Sequence, residues 1–420
     1  MSDHHDPPSQ APRPTPASPL ERYKAVDILR GFAVFGILVA NMASYSGRST
    51  TPDVFVDSLD QWIVNLSRFL VEAKFYSLFS LLFGWGMALQ MGRARAKGVP
   101  FVPIYVLRML ALLLIGILHG ILLWTGDILT LYAVLGLFLL LFRNLSPRAI
   151  LVASAIFLVS RILVTLPGGL VQTVLQSYND ATSFLRSTTY AGALYATGSY
   201  WEVTRLRLQE FLAMNSWFLY FFGPVFSMFL LGLYVGKRRI VEEMDQHLPL
   251  IRRVMWAGLA IGLGFNALFV WSTNHTDALP AEYAQTVRVG ARTIAAPAMM
   301  LFYACGILLL TRRQSWLRRL SPLANVGRMA LSNYLLQSFL ITLIFYGYGL
   351  GLYGQVDPSF GLLVSVLFFL MQLRWSAWWL ERFQYGPAEW FWRLLTYGRR
   401  PPLRINEEAD SLKPLPVIGP

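Results

Sequence analysis

The chain has 420 residues, of which 55% are hydrophobic, 14% aromatic and only 14% charged, and its mean hydropathy is +0.47. Soluble domains carry roughly a quarter charged residues, so this composition excludes a soluble multidomain protein. The 36 Lys and Arg residues outnumber the 23 Asp and Glu residues, which gives a net charge of +13. Because the basic residues lie in short loops between apolar runs, this excess predicts contact with anionic lipid rather than with nucleic acid.

Ten apolar segments approach the length that a helix needs to span the hydrocarbon core of a membrane, roughly 17 to 25 residues. They predict an all-α fold, a polytopic transmembrane helical bundle of about ten spanning helices. Base-rich and base-poor loops alternate along the chain, so both termini are expected to be cytoplasmic. The predicted spans are 25–43, 71–91, 101–123, 127–142, 149–166, 217–236, 254–272, 293–310, 329–348 and 359–380.

The expected transmembrane domain occupies residues 23–397. A disordered, Pro-rich cytoplasmic tail, 1–22, precedes it and lacks the apolar region of a cleavable signal peptide. A cytoplasmic C-terminal tail, 398–420, follows it. On the predicted outer side, the polar excursion 170–215 is long enough to hold a lid or a vestibule.

Two shorter segments are expected to lie in the membrane interface rather than across it. The first is WIVNLSRFL, residues 62–70, on the predicted outer side. The second is GPAEWFWRLLTYG, residues 386–398, which has a Pro near a helix start and an aromatic face.

The first predicted span carries three polar residues, and ionisable groups in spanning helices are the default candidates for a functional site. Asp27 and Arg30 lie three residues apart and can pair on one face. Asn41 follows Arg30 by eleven residues, which returns a helix to within about 20° of the same face. The alternative is that the pair serves only to position the helix by snorkelling.

The third and fourth spans suggest a catalytic base. Arg108 and His119 are also eleven residues apart, and Asp127 follows His119 after a short turn. His119 could act as a general base whose tautomer is fixed by Asp127. The alternatives are a buried, hydrogen-bonded histidine and an aspartate that caps the next helix.

Other polar residues near the predicted outer side are candidates for substrate binding. Glu72, Lys74 and Tyr76 lie at the start of the second span. Arg288 and Arg292, four residues apart at the start of the eighth span, could clamp an anion. Ordinary helix-end charges would give the same pattern.

The ninth span begins with a polar face. Arg328 and Ser332 are four residues apart, and so are Asn333 and Gln337. A helix that served only as an anchor would not need this face, although hydrogen bonding between helices would also explain it.

Several kinds of site are excluded by their missing motifs. The sequence contains no metal-ligand cluster, Walker loop, GxSxG motif or dinucleotide fingerprint, and its single Cys305 cannot form an internal disulfide. No metal is therefore expected, and no nucleic-acid partner.

Six segments, spread over about residues 27–397, carry a resemblance to a known family. They are DILRGFAVFGILVAN, KFYSLFSLLFGWG, LLLIGILHG, GDILTLYA, GRMALSNYLLQS and GPAEWFWRLLTYG. In these segments the sequence resembles the YeiB-type family of bacterial integral membrane proteins, defined by a domain of unknown function. The resemblance implies a multi-pass protein of the bacterial cell inner membrane.

The opening Asp27-x-x-Arg30-Gly31 is also similar to two families of membrane acyltransferases. One is the acyltransferase-3 type, which modifies bacterial surface sugars, and the other includes the heparan glucosaminide acetyltransferase. This resemblance implies a cytoplasmic acyl-CoA donor and an acceptor on the far side. The acetyltransferase group has an essential histidine in its first outer loop. Residues 44–70 contain none, so His119 would serve from a different position.

The leading hypothesis is therefore a membrane acyltransferase that uses acyl-CoA. His119 would deprotonate an acceptor hydroxyl or amine, Asp127 would orient it, and Asn41 would stabilise the developing oxyanion. Guanidinium groups stay charged and form forked hydrogen bonds, which suits phosphate binding. The donor's phosphates would be bound by Arg30, Arg108 and Arg328.

The alternative is a transporter or permease for a small solute. The same polar faces would then line a pathway, and Arg288, Arg292 and the excursion 170–215 would form an outer gate. The expected partners are membrane lipids and a small-molecule or glycan acceptor, and a homo-oligomer is left open.

Overall fold

A computed structural model describes residues 23–48, 58–166, 188–213, 215–398 and 400–405. Within these ranges the chain is almost entirely helical and has no β-strand, only an isolated bridge between Phe383 and Arg404. The predicted all-α class is thus confirmed. The tail 1–22 and most of the tail 398–420 lie outside the described residues.

The described helices are numbered in chain order. They are α1 (Lys24–Tyr45), α2 (Ser58–Leu70), α3 (Lys74–Ala96), α4 (Phe101–Leu122), α5 (Leu129–Leu139), α6 (Pro147–Leu163), α7 (Thr188–Thr197), α8 (Tyr200–Leu212), α9 (Asn215–Lys237), α10 (Leu248–Asn274), α11 (Ala281–Thr311), α12 (Gln314–Arg319), α13 (Ser321–Arg328), α14 (Ala330–Phe345), α15 (Pro358–Leu380) and α16 (Pro387–Tyr397).

Each of the ten predicted spans coincides with one of these helices. Five of the described helices, α1, α4, α10, α11 and α15, are long and apolar enough to cross a membrane. A sixth candidate is the pair formed by α13 and α14, which bend by 79° where they meet at Met329. The chain thus has the helices of a membrane protein, whereas ten crossings and cytoplasmic termini stay predictions.

The eighth span begins earlier than the sequence predicts. Helix α11 starts at Ala281, well before the predicted start at residue 293. Hydropathy detects only the apolar part of a helix. The polar segment AEYAQ, residues 281–285, is missed for this reason, but it consists largely of residues with good helix propensity and extends the helix. Arg288 and Arg292 are therefore inside the helix rather than at its start.

Both segments predicted to lie in the interface are helical, as α2 and α16. The described part of the excursion 170–215 forms α7 and α8. Ser199 precedes α8 as the N-cap of a capping box: its hydroxyl oxygen accepts the Glu202 backbone N–H, and its own backbone N–H donates to the Glu202 carboxylate.

Helix α1 is crossed closely by α13. A Cβ atom on Gly31 would overlap the carbonyl oxygen of Leu323, and one on Gly327 would overlap that of Asp27. Only glycine at both positions lets the two backbones approach this closely. The crossing brings Arg30, next to Gly31, and Arg328, next to Gly327, to the same end of the bundle.

Helices α14 and α15 are joined by a ladder of buried amides. Gln372 Nε2 donates to Asn333 Oδ1 at 3.1 Å, and Gln337 Nε2 donates to Gln372 Oε1 at 2.9 Å. Gln337 also reaches the carbonyl oxygen of Val34 on α1. The polar face of the ninth span is therefore explained, at Asn333 and Gln337, by hydrogen bonding between helices.

Candidate functional site

The centre of the site is a chain of buried hydrogen bonds. His119 Nδ1 lies 2.8 Å from Asp127 Oδ1, and His119 Nε2 lies 2.8 Å from Ser338 Oγ. Ser338 Oγ in turn lies 2.8 Å from the Tyr45 hydroxyl. None of these four residues is more than 2% exposed. We call these four residues the buried cluster.

Four helix segments bring the buried cluster together. Tyr45 ends α1, and His119 is in the last turn of α4. Asp127 lies two residues before α5, and Ser338 lies in the middle of α14. Helices α4 and α5 form a tight hairpin, which turns the chain back within a few residues and sets the His119–Asp127 contact. The contact with Ser338 depends on where α14 packs.

The contacts of Asp127 are compatible with both predicted roles, capping α5 and orienting His119. Its Oδ2 accepts the Thr130 backbone N–H at 2.7 Å and its Oδ1 accepts that of Leu129 at 3.1 Å, so it caps α5. The same Oδ1 faces His119. A carboxylate oxygen held by backbone donors acts as an acceptor, which places the imidazole proton on Nδ1 and the free lone pair on Nε2.

Sequence reasoning missed Ser338 and Tyr45. Serine is common in helices, where its hydroxyl usually bonds to its own backbone, so Ser338 gives no signal in the sequence. Tyr45 lies one turn beyond Asn41, on the same face of α1. Asn41 itself is half-buried. It takes part in none of the three hydrogen bonds that join the four residues of the buried cluster.

A cavity of about 420 Å³ opens between α1, α3, α4, α14 and α16. This volume falls in the range of small-molecule sites. Among the described residues that line it, six are basic and two, Asp27 and Glu389, are acidic. We call the end of the bundle that carries them the basic end. The six basic residues are Arg30, Arg93, Lys97, Arg108, Arg328 and Arg393.

The three arginines predicted to bind the donor, Arg30, Arg108 and Arg328, thus line one cavity. Arg30 Nη1 pairs with Asp27 Oδ1 at 2.6 Å, as predicted. The Arg108 guanidinium stacks on Trp392 of α16, with its carbon 4.0 Å from the ring centroid. Trp392 Nε1 also donates to the Arg108 carbonyl oxygen at 2.8 Å.

Helix α16 is held at the rim by Glu389. Its carboxylate accepts the backbone N–H of Leu331 at 2.7 Å and that of Ser332 at 3.2 Å, and it bonds the Ser332 hydroxyl. It thereby caps α14 from another helix. Burial raises the pKa of the Glu389 carboxyl, and these hydrogen bonds oppose the rise.

Apart from the Gln337 amide, the far end of the cavity is apolar, and it approaches the buried cluster. Val34, Leu112 and Tyr334 are among its lining residues. The Tyr334 ring lies 4.9 Å from the His119 ring, centroid to centroid. His119 does not itself line the described cavity, so the Tyr334 side chain forms the wall between the two.

The residues predicted to bind substrate form a separate cluster that does not line this cavity. Arg292 Nη2 pairs with Glu72 Oε1 at 3.1 Å, and the buried Lys74 donates to the Arg68 carbonyl oxygen at 2.7 Å. Burial lowers the pKa of the Arg68 guanidinium, and the nearby Glu72 carboxylate only partly opposes this shift.

Two further residues of this predicted set, Tyr76 and Arg288, have little room around them for a ligand or contact backbone directly. Tyr76 and Arg292 line a cavity of about 10 Å³, room for about one water molecule. Arg288 Nη2 lies 3.4 Å from the Ser272 carbonyl oxygen. A substrate role for these residues stays a prediction.

Sequence reasoning also missed Arg207 of α8. This guanidinium is fully buried and donates to the Leu122 carbonyl oxygen at 2.8 Å and to the Tyr348 hydroxyl at 2.7 Å. Leu122 follows His119 by three residues. The described part of the predicted lid is thus tied to the end of α4 that carries His119.

In the part of the chain that the structure describes, no three His, Cys, Asp or Glu side chains are grouped so that they could hold a metal ion.

Comparison with known proteins identifies the family. Residues 235–399 match the family model "Protein of unknown function (DUF418)". "Uncharacterized protein YxaH" of Bacillus subtilis (strain 168) is 37% identical over 401 residues, which cover 90% of this chain and 94% of YxaH. The chain belongs to the DUF418 family.

The DUF418 relatives extend beyond the segment that the family model matches. "Uncharacterized protein YeiB" of Escherichia coli (strain K12) is 27% identical over 392 residues, 90% of this chain and 97% of YeiB. An "Uncharacterized 39.9 kDa protein in amylase 3'region" of Bacillus acidopullulyticus is 29% identical over 93% of this chain and 98% of its own length. The predicted resemblance to the YeiB-type family is confirmed. No solved structure shows a significant match to the chain.

Proposed function

We propose that this DUF418 protein is a multi-pass acyltransferase of the bacterial inner membrane. It binds an acyl-CoA donor in the cavity at the basic end and transfers the acyl group by means of His119 to an acceptor that arrives from the opposite end. The acceptor is a hydroxyl or amine of a small molecule or glycan.

The observation that carries the proposal is the amphipathic character of the cavity. Six basic side chains line the basic end of the cavity, and its far end, next to Tyr334, is lined mainly by apolar side chains with the Gln337 amide among them. An acyl-CoA has the matching pattern, because its phosphates carry the negative charge and its acyl chain is apolar. Arginines bind phosphate through forked, charge-assisted hydrogen bonds.

The buried cluster supplies the chemistry. Asp127 holds the His119 proton on Nδ1, which leaves Nε2 as the base. A base oriented by a carboxylate and bonded to a hydroxyl is the arrangement that activates oxygen nucleophiles. The reacting thioester would sit between the cavity and Nε2, so the Tyr334 side chain must turn aside during the reaction. The oxyanion role predicted for Asn41 remains a proposal.

The experiment that tests this function is equilibrium binding of CoA and acetyl-CoA to the purified protein in lipid nanodiscs. Arg30→Ala and Arg108→Ala should each weaken binding by roughly tenfold to a hundredfold, since a hydrogen bond to a charged group contributes about 1.5–3 kcal/mol. Arg312→Ala is the matched control, because Arg312 pairs with Asp245 and does not line the described cavity. Absence of saturable binding at millimolar ligand would rule out the donor site.

A transporter is the second candidate because of one observation, the 79° bend between α13 and α14. Broken helices often form solute sites in transporters. Solute flux into proteoliposomes, without any acylated product, would favour this function over acyl transfer.

A further inference from the structure

The geometry points to Ser338 as the nucleophile of a two-step transfer, in which Ser338 carries the acyl group as an ester before the acceptor receives it. This inference rests on the proposed acyl-transfer function and specifies its mechanism.

Both ring nitrogens of His119 are already engaged. Nδ1 faces Asp127, and Nε2, the basic nitrogen, faces Ser338 Oγ at 2.8 Å. The proton that His119 can accept without rearrangement is therefore that of Ser338. A direct attack by an acceptor would require Ser338 to leave this position first.

Tyr45 completes the orientation of the Ser338 hydroxyl. Because Ser338 donates its proton to Nε2, its oxygen is the acceptor of the Tyr45 O–H at 2.8 Å. The proton order is thus Tyr45 to Ser338, Ser338 to His119, and His119 to Asp127. Each donor has one acceptor. The Ser338 hydroxyl therefore points its proton at the basic nitrogen of His119, and the Tyr45 O–H stabilises the negative charge that develops on Oγ when that proton leaves.

Ser338 bonds differently from two other buried serines of the bundle, Ser365 and Ser77. Ser365 on α15 donates to the carbonyl oxygen of Gly361, and Ser77 on α3 donates to that of Ala73, each within its own helix. Both described hydrogen bonds of Ser338 instead go to side chains on α1 and α4. Backbone bonding is the usual role of a helical serine. Ser376 on α15 also bonds to a side chain of another helix, because it accepts from Asn333 Nδ2 at 3.0 Å. What sets Ser338 apart from these serines is that its partner is an imidazole nitrogen.

Ser338 also lies near the end of the cavity that Tyr334 lines, opposite the basic end. It follows Tyr334 by four residues on α14, so the two side chains share one helix face, and Tyr334 lines the cavity. Displacement of the Tyr334 ring would connect the apolar end of the cavity with Ser338 and His119. An acyl chain in that end would bring its thioester carbonyl towards Ser338 Oγ.

In the first step, Ser338 Oγ attacks the thioester carbonyl carbon while His119 Nε2 takes the hydroxyl proton. The C–S bond breaks, His119 returns the proton to the departing sulfur, and CoA leaves as the thiol. In the second step, an acceptor hydroxyl or amine gives its proton to His119 and attacks the ester carbonyl. The C–O bond to Ser338 breaks, and Ser338 regains the proton from His119.

The first step needs no acceptor, which makes it testable now. The protein in nanodiscs is mixed with acetyl-CoA alone, and CoA thiol release and covalent acetylation are followed by a thiol reagent and by peptide mass mapping. Wild type should release a burst of one CoA per protein and carry one acetyl group on Ser338. Ser338→Ala and His119→Ala should lose the burst while still binding acetyl-CoA.

Two variants control for loss of packing. Ser365→Ala removes a buried hydroxyl of the same kind outside the buried cluster and should keep the full burst. Ser338→Cys preserves a nucleophile and should give a thioester that hydroxylamine cleaves faster than the wild-type ester. Mapping the label in wild type requires no variant at all.

The outcomes separate the two proposals. Acetyl-CoA binding without a burst or label in wild type would overturn the role of Ser338 and leave the donor site intact. A label that persists in Ser338→Ala would overturn it as well. If wild type bound no acetyl-CoA, the proposed function would fail first, and the nucleophile with it.

Discussion

Arg108 and Trp392, 284 residues apart in the sequence, are joined by two contacts at the rim of the cavity. The guanidinium lies 4.0 Å from the indole ring, and the indole Nε1 donates to the Arg108 backbone carbonyl at 2.8 Å. The first contact holds the charged end of the side chain, and the second fixes α16 against α4. An amphipathic C-terminal helix thereby becomes one wall of the cavity.

We expect Trp392→Ala to weaken acetyl-CoA binding more than Trp392→Phe does. Alanine removes both the stacking and the hydrogen bond, whereas phenylalanine keeps a ring under Arg108. A cation–π contact contributes about 0.5–2 kcal/mol, which corresponds to roughly a twofold to thirtyfold change in the dissociation constant. Titration calorimetry in nanodiscs measures both variants.

The chain offers a matched control for this comparison. Arg382 stacks on Trp378 with 4.9 Å between guanidinium carbon and ring centroid, and neither residue lines the described cavity. Trp378→Ala should leave acetyl-CoA binding unchanged. An equal loss of affinity in both variants would mean that Trp392 acts only on general stability.

His119→Ala is expected to abolish acyl transfer, and Asp127→Asn to reduce it by about a hundredfold or more, because the base loses its orientation. CoA release from acetyl-CoA in the presence of mixed sugars and amino sugars measures the rate. Asp60→Asn is the control, since Asp60 also caps a helix, by accepting the Ser359 N–H at 2.9 Å, outside the site. Full activity in His119→Ala would refute the assignment of the base.

The crossing of α1 and α13 predicts a stability difference between two glycines. Gly31→Ala places a Cβ against the backbone of Leu323, which cannot yield as a side chain could, and should destabilise the protein by about 1–3 kcal/mol. Gly306→Ala meets no neighbouring atom within 4 Å and should be neutral or stabilising by up to about 1 kcal/mol. Thermal unfolding in detergent compares the two. Equal unfolding temperatures would show that the helices do not cross as described.

Glu389 predicts a pH dependence of stability. Burial raises its folded-state pKa above the ordinary value of 4.5, so the folded protein binds more protons than the unfolded chain between the two values. The contribution of Glu389 is fully present below pH 4.5 and is lost as the pH rises through the folded-state pKa.

Unfolding temperatures of wild type and Glu389→Gln, measured from acidic to neutral pH, test this expectation. Glutamine keeps an acceptor for the backbone N–H groups of Leu331 and Ser332 but does not ionise, so the variant should show a smaller decline with rising pH. Parallel curves for the two proteins would show that Glu389 titrates normally.

The features that the sequence determined are those that depend on composition and on short separations along the chain. The apolar runs alone specify a helical membrane protein. The Asp27–Arg30 pair follows from helix periodicity, since the residues are three apart. The His119–Asp127 contact follows from a turn too short to separate two adjacent helix ends. Even the common location of Arg30, Arg108 and Arg328 follows from placing basic residues at one end of the bundle.

Only the tertiary structure decided which helices meet. Ser338 lies 219 residues from His119 and 293 from Tyr45, and no local rule fixes contacts over such separations. The close crossing of α1 and α13 and the bend at Met329 set the direction in which α14 enters the bundle. That direction places Ser338 beside the imidazole and Tyr334 between the imidazole and the cavity. Hydropathy and periodicity define which face of a helix is polar, whereas the packing of side chains between helices defines what that face touches.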